Sequence, residues 1–177
     1  MEIVVSLSLF TFAIILVGSM YSLAQRSYNK GAAKSELVQN ARVSLDRISR
    51  ELRQSINIIT VMPETADDLN NPPAEEIFFQ DGHDRSQTTY LRYYLEGTNL
   101  MRSSIVYFFS AEPNIYVTYN SVDQNGDQPE ELVTSKIVGE YFNELQFWGS
   151  NNLVHFNMRL AKGQDLFNIN SSIFIRN

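Results

Sequence analysis

The residue types that could do acid–base or nucleophilic chemistry are few and scattered in this sequence. It has two histidines and no cysteine, which excludes thiol catalysis, disulfides and cysteine-ligated metals. His83 lies in Asp81-Gly82-His83-Asp84, a spacing more typical of a surface turn than of a metal site. His155 alternates with apolar neighbours, as a packed or half-exposed strand residue does. The sequence contains no Ser/His/Asp set, phosphate loop or spaced carboxylate pair, so we expect no catalytic residue and no enzyme.

A second cluster offers oxygen ligands of the kind that calcium prefers. Asp123, Asn125 and Asp127 alternate in the segment Asp123-Gln124-Asn125-Gly126-Asp127. The glycine precedes the third acidic position, and a threonine stands where an EF-hand has its closing glutamate. A turn built on Asn125-Gly126, a pair that favours positive φ, is therefore the main interpretation. Calcium at these three residues is the alternative, and calcium is the one candidate cofactor.

The acidic residue with the most unusual setting is Glu2, at the edge of a long apolar run. No residue from Ile3 to Gln25 is charged. As a helix this stretch is about 35 Å long, which suffices to span a hydrocarbon core of roughly 30 Å. We therefore predict that residues 1–25 form a transmembrane segment. A cleavable secretory signal is the alternative, but such signals have about 7–15 apolar residues after a basic region.

The helical pattern continues beyond the apolar run. One apolar stripe recurs at spacings of three and four residues, which is typical of an amphipathic helix. Its members are Leu37, Ala41, Leu45, Ile48, Leu52, Ile56 and Ile59. We predict a single helix over residues 2–60, with an amphipathic half at 26–60 whose stripe packs against the rest of the chain. Two helices broken near Asn29-Lys30-Gly31 are the alternative.

The remaining segment, residues 61–177, is predicted to be a β-rich head. A polar, proline-bearing loop at 67–75 precedes a series of short runs rich in aromatic and β-branched residues. These runs cover 77–79, 88–95, 100–103, 105–109, 115–119, 145–148, 153–160 and 172–175. Residues 96–99 are predicted to form a hairpin turn. An amphipathic helix followed by an antiparallel sheet is an α+β arrangement, in which each element buries the apolar face of the other.

Three segments together resemble type IV pilin-like proteins. Glu2-Ile3-Val4-Val5-Ser6-Leu7 is similar to the start of the conserved pilin helix, and residues 36–55 are similar to the second half of that helix in minor pilins. Residues 89–104 resemble the tyrosine-rich strand, turn and Leu-x-Arg of J-type pseudopilins and W-type minor pilins. In that family a prepilin peptidase removes a basic leader ending in glycine, and the new N-terminus becomes methylated. We expect that the leader and the first mature residues lie upstream of this chain.

The resemblance implies a structural subunit of a pilus-like filament for adhesion, motility, protein secretion or DNA uptake. Glu2 would pair with the N-terminal amine of a neighbouring subunit, which would remove the cost of a charge in the bilayer, about 2.5–3.5 kcal/mol. The implied location is the inner or cytoplasmic membrane, single-pass, with an extracytoplasmic head. By the positive-inside rule the basic residues after the apolar run would favour the opposite orientation, but in the family the leader sets it.

The partners implied are the membrane, other pilin or pseudopilin subunits, and prepilin peptidase if a leader exists upstream. The chain has a formal net charge of −6. Direct nucleic-acid binding requires a basic face, so we expect no nucleic-acid partner. The competing interpretation is a signal-anchored extracytoplasmic ligand-binding domain, or a tip adhesin, that does not polymerise. In that case Glu2 would only be a favourable charge at a helix N-terminus, contributing about 0.3–1 kcal/mol.

Overall fold

The computed structural model describes residues 2–84 and 86–175, and its first element is one long helix. α1 runs Glu2–Gln54 without interruption at Asn29-Lys30-Gly31, so the two-helix alternative is wrong. The chain divides into two compact units, of which the first ends at Glu36 and the second begins at Leu37. In the first unit, every residue from 2 to 32 is exposed. The predicted segment bounds at residues 1 and 177 lie outside the described residues.

The second unit contains the rest of α1 and two antiparallel sheets, as the α+β prediction requires. Its described strands are β1 Asn57–Ile58, β2 Ile77–Asp81, β3 Thr89–Glu96, β4 Asn99–Phe109, β5 Glu112–Val117, β6 Glu130–Gly139, β7 Phe142–Ser150, β8 Leu153–Lys162 and β9 Asp165–Phe174. The first sheet follows the order β1-β2-β3-β4-β5, and β6 also pairs with β4. The second sheet follows the order β7-β8-β9.

One hydrophobic core joins the C-terminal part of α1 to both sheets. Leu37, Ala41, Ile48 and Leu52 are buried on the helix, and Leu45 packs against them while half-buried. The sheets contribute large side chains that are almost fully buried: Ile77, Phe79, Leu91, Tyr93, Leu100, Phe142, Phe147, Phe156 and Leu160. The predicted stripe from position 37 to position 52 therefore has the buried role that its spacing indicated.

The predicted helix end was wrong by about one and a half turns. α1 stops at Gln54, where the Ser55 hydroxyl donates to the Leu52 carbonyl oxygen at 2.7 Å and satisfies a terminal acceptor. Ile56 is exposed, and its backbone N–H donates to Gln80 O. Ile59 donates to Phe78 O at 2.8 Å. The β-branched run after position 55 favours extended backbone, and hydrogen bonds to β2 outweigh continuation of the helix.

The hairpin and one strand alternation were predicted correctly. Glu96 pairs with Asn99 across a two-residue turn in which Gly97 has φ 61°, the conformation that glycine adopts most readily. In β8, Val154, Phe156, Met158 and Leu160 are buried, while the intervening residues are exposed or half-buried. The strand runs at 100–103 and 105–109 prove to be one strand, β4, and the one at 115–119 begins earlier, at Glu112.

Two strands and most of a third lay outside the predicted runs. β6 and β1 had no predicted counterpart, and β9 begins at Asp165, seven positions before the predicted start at Ser172. β1 is two residues long and pairs only with β2 among the described strands. β6 pairs with β4 from position 130 to position 139. β1 owes its geometry to a distant partner strand, which its two residues do not encode. β6 carries a local signal that the prediction missed, since Val133, Thr134, Ile137 and Val138 are β-branched.

Candidate functional site

Glu2 lies in the first turn of α1, on the exposed apolar part of the helix. Its backbone carbonyl accepts a hydrogen bond from the Ser6 hydroxyl at 3.0 Å. Ile3, Leu7 and Phe10 lie beside it and are each more than three-fifths exposed. A single carboxylate therefore projects from a surface made almost entirely of hydrocarbon. This is the setting in which the charge is costly in lipid and valuable beside a cation.

Four hydroxyl side chains within the apolar stretch, those of Ser6, Ser8, Thr11 and Ser19, bond to carbonyl groups of their own helix. Ser8 donates to Val4 O, Thr11 to Leu7 O and Ser19 to Leu16 O, each at 2.8 Å. Such bonds satisfy hydroxyl groups that find no water inside a bilayer. Among the described residues, α1 is the one helix long and apolar enough to cross a membrane. A single-pass anchor is thus consistent with both its length and its internal hydrogen bonding.

A charged cluster ties the C-terminal part of α1 to the first sheet. The Arg102 guanidinium Nε lies 2.9 Å from Glu51 Oε2 and 3.1 Å from Glu51 Oε1. The Tyr93 hydroxyl donates to the same Oε2 at 2.7 Å. The side chains of Arg102 and Glu51 are only 17% and 14% exposed. Helix, β3 and β4 therefore meet at one carboxylate, which fixes the rotation of the helix on the sheet.

Burial and hydrogen bonding keep the Tyr93 phenol protonated. Burial is the main cause that raises the pKa of Tyr93, and the hydrogen bond to the Glu51 carboxylate raises it further. A protonated phenol is the form that can donate to Glu51. The hydroxyl therefore remains a donor throughout the physiological pH range.

The role of Glu51 was not predicted from the sequence. Glu51 directly precedes Leu52 and borders the stripe. Arg102 is the arginine of the Leu-x-Arg motif. A glutamate on the border of a buried stripe, together with an arginine in a strand, is a usable signal for such a pair. The sequence does not show that these two side chains meet, because their contact depends on how α1 packs against β4.

The candidate calcium segment folds as the turn that was the main interpretation. Asp123 Oδ1 accepts the backbone N–H groups of Asn125 and Asp127, each at 2.8 Å. The hydrogen bond from the Asp127 N–H is the largest cause that lowers the pKa of Asp123 and favours the carboxylate. Gly126 has φ 87°, as an Asn-Gly turn requires. Calcium binding at Asp123, Asn125 and Asp127 stays a prediction.

The two histidines lie in different local settings, one in a turn and one on a strand. His83 donates its backbone N–H to Asp81 Oδ1 at 3.0 Å, whereas the Asp84 carboxylate accepts from Ser86. His155 is half-buried and stacks on Trp148 with ring centres 5.8 Å apart. Within residues 2–84 and 86–175, no group of three or more histidine or acidic side chains is placed to hold a metal.

Comparison with known proteins identified no relative of this chain. A scan of protein-family models, a search of curated proteins and a search of solved structures each found no match.

Proposed function

We propose that this chain is a structural subunit of a type IV pilus-like filament, of the minor pilin or pseudopilin class. The observation that carries the proposal is the contrast within α1. Residues 2–32 are all exposed and largely apolar, whereas the stripe from Leu37 to Leu52 is buried in an antiparallel β head. A segment of this kind needs a second environment to cover it. Lipid supplies that environment before assembly, and the helices of neighbouring subunits supply it afterwards.

Glu2 gives the assembled state an advantage over the membrane state. A carboxylate within the bilayer costs about 2.5–3.5 kcal/mol on insertion scales. Transfer to a filament core beside the N-terminal amine of a neighbour replaces that cost with an ion pair in a medium of low dielectric constant. Glu2 would thus be an assembly residue. The resemblance further implies processing by prepilin peptidase and an extracytoplasmic head that contacts other subunits.

The test is to follow Glu2 variants into filaments in the native cell. Glu2→Leu and Glu2→Gln are compared with wild type by immunoblotting of membranes and of sheared, sedimented filaments. We expect both variants at wild-type levels in the membrane and at least a tenfold loss from filaments. Glu64→Gln, a change at an exposed glutamate of the head, is the matched control and should leave both fractions unchanged. Full incorporation of Glu2→Leu would favour the anchored ligand-binding domain, in which this charge has no role.

A further inference from the structure

β6 is a long edge strand with an unused side. Among the described strands it pairs only with β4. All eight residues from Glu130 to Ile137 are exposed, including Leu132 at 57%, Val133 at 45% and Ile137 at 54%. An exposed edge presents a row of free N–H and C=O groups that can pair with another strand. The eight residues from Glu130 to Ile137 pair with β4 in continuous register, before a shift at the Gly139 end of the strand. Eight residues exceed the usual strand length of about 5–6, so the edge is large enough for a stable ladder.

The sequence of β6 is complementary to itself in one antiparallel register. Two residues that lie opposite each other in an antiparallel pair form either a hydrogen-bonded pair or a non-hydrogen-bonded pair. These two kinds of pair alternate along the strand. A strand that pairs with its own copy therefore matches odd positions with odd and even positions with even. Centred on Val133, the pairing places Leu132 opposite Thr134 and Lys136 opposite Glu130 of the second copy. The two-fold symmetry forms the Lys136–Glu130 pair twice.

The neighbouring registers lack this complementarity. Centring the pair on Leu132 places Lys136 opposite Gln128, and centring it on Thr134 places Lys136 opposite the apolar Leu132. A lysine within an edge strand normally discourages pairing, because the partner must accommodate its charge. Lys136 therefore disfavours most partner strands, but a strand with a glutamate opposite the lysine can pair with it. β6 supplies that glutamate itself.

From this complementarity we infer that the head of this protein pairs with the head of a second copy through β6. The occupant is the antiparallel β6 strand of that copy, in the register centred on Val133. The pairing makes one continuous sheet from the first sheets of two molecules and joins the edge N–H and C=O groups of both β6 strands. It is independent of the filament proposal, because it uses neither Glu2 nor the apolar helix.

Disulfide trapping tests the register directly, because the chain contains no cysteine. The full chain carrying Val133→Cys, in detergent micelles, is oxidised gently and run on a non-reducing gel. Opposite Cα atoms lie about 4.5–5.5 Å apart in an antiparallel pair, within the range of a disulfide. We expect a disulfide dimer forming at least tenfold faster than with Gln124→Cys, an exposed loop position. Equal rates for the two variants would overturn the inference.

Charge exchange then tests the pairing chemistry. In the Val133→Cys background, Lys136→Glu should slow dimer formation at least tenfold, because two glutamates then face each other. Adding Glu130→Lys restores opposite charges with the signs exchanged, and the rate should recover. Unchanged circular dichroism spectra establish that the variants are folded. Failure of the double variant to recover, with the fold intact, would show that Lys136 and Glu130 do not face each other.

Discussion

At the residue scale, the most informative charges are two glutamates in opposite settings on the same helix. Glu2 is exposed among apolar side chains, whereas Glu51 is nearly enclosed and satisfied by Arg102 and Tyr93. Burying charges is costly unless they are paired and hydrogen-bonded. The Glu51 carboxylate meets that condition within the chain. Glu2 meets it only in the proposed filament, through a neighbour.

The Glu51–Arg102 pair yields a prediction about stability. Arg102→Met removes the cation but leaves the Glu51 carboxylate largely buried, so the free energy of unfolding should fall by about 2–3 kcal/mol, somewhat less than for a fully buried pair. Chemical denaturation followed by circular dichroism measures this. The matched control is Arg92→Met, because the Arg92–Glu76 pair is 42% exposed on each side and such a pair contributes about 1 kcal/mol or less. Equal losses in the two variants would contradict the role assigned to the cluster.

At the element scale, the sequence predicted the stripe of α1 better than its end. Spacing alone identified Leu37, Ala41, Ile48 and Leu52 as buried, because helical periodicity is a local property. It could not show that the chain leaves the helix after Gln54, since Ile56 and Ile59 continue the same spacing. That decision depends on hydrogen bonds to β2, a strand some twenty residues downstream.

The corrected helix end predicts different responses to the same substitution. Leu52→Asp places an unpaired carboxylate in the core and should abolish cooperative unfolding, because Leu52 is 0% exposed. Ile56→Asp is four residues further along the predicted stripe, but Ile56 is 45% exposed. It should change the free energy of unfolding by less than about 1 kcal/mol. Thermal melts of the two variants measure this difference. An equal loss of stability in Ile56→Asp would indicate that Ile56 is buried, as in the longer helix that was predicted.

At the scale of the whole molecule, the fold class could be predicted from composition and periodicity. The runs predicted at 77–79 and 153–160 lie within β2 and β8, because strand-favouring composition and alternation are local properties. The Glu51–Arg102–Tyr93 cluster could not be found that way, because it depends on the packing of α1 against β3 and β4. β6 was missed although its β-branched residues are a local strand signal.

The exposure of residues 2–32 leads to a prediction about truncation. A fragment of residues 33–177 retains every buried side chain of α1, since burial begins at Leu37. It should therefore be soluble without detergent and melt within a few degrees of the full chain, in a scan followed by circular dichroism. The full chain should aggregate when detergent is removed. An unfolded or insoluble fragment would mean that the apolar helix contributes to the stability of the head.

The proposed filament role is tested most directly by intact-mass analysis of the protein recovered from native membranes and from sheared filaments. The account predicts that the chain is present in the filament fraction, with its N-terminus cut shortly before Glu2 and methylated. A chain found only in the membrane fraction, beginning at an unprocessed Met1, would contradict it. Glu2 would then be a terminal helix charge, and the protein an anchored domain that does not assemble.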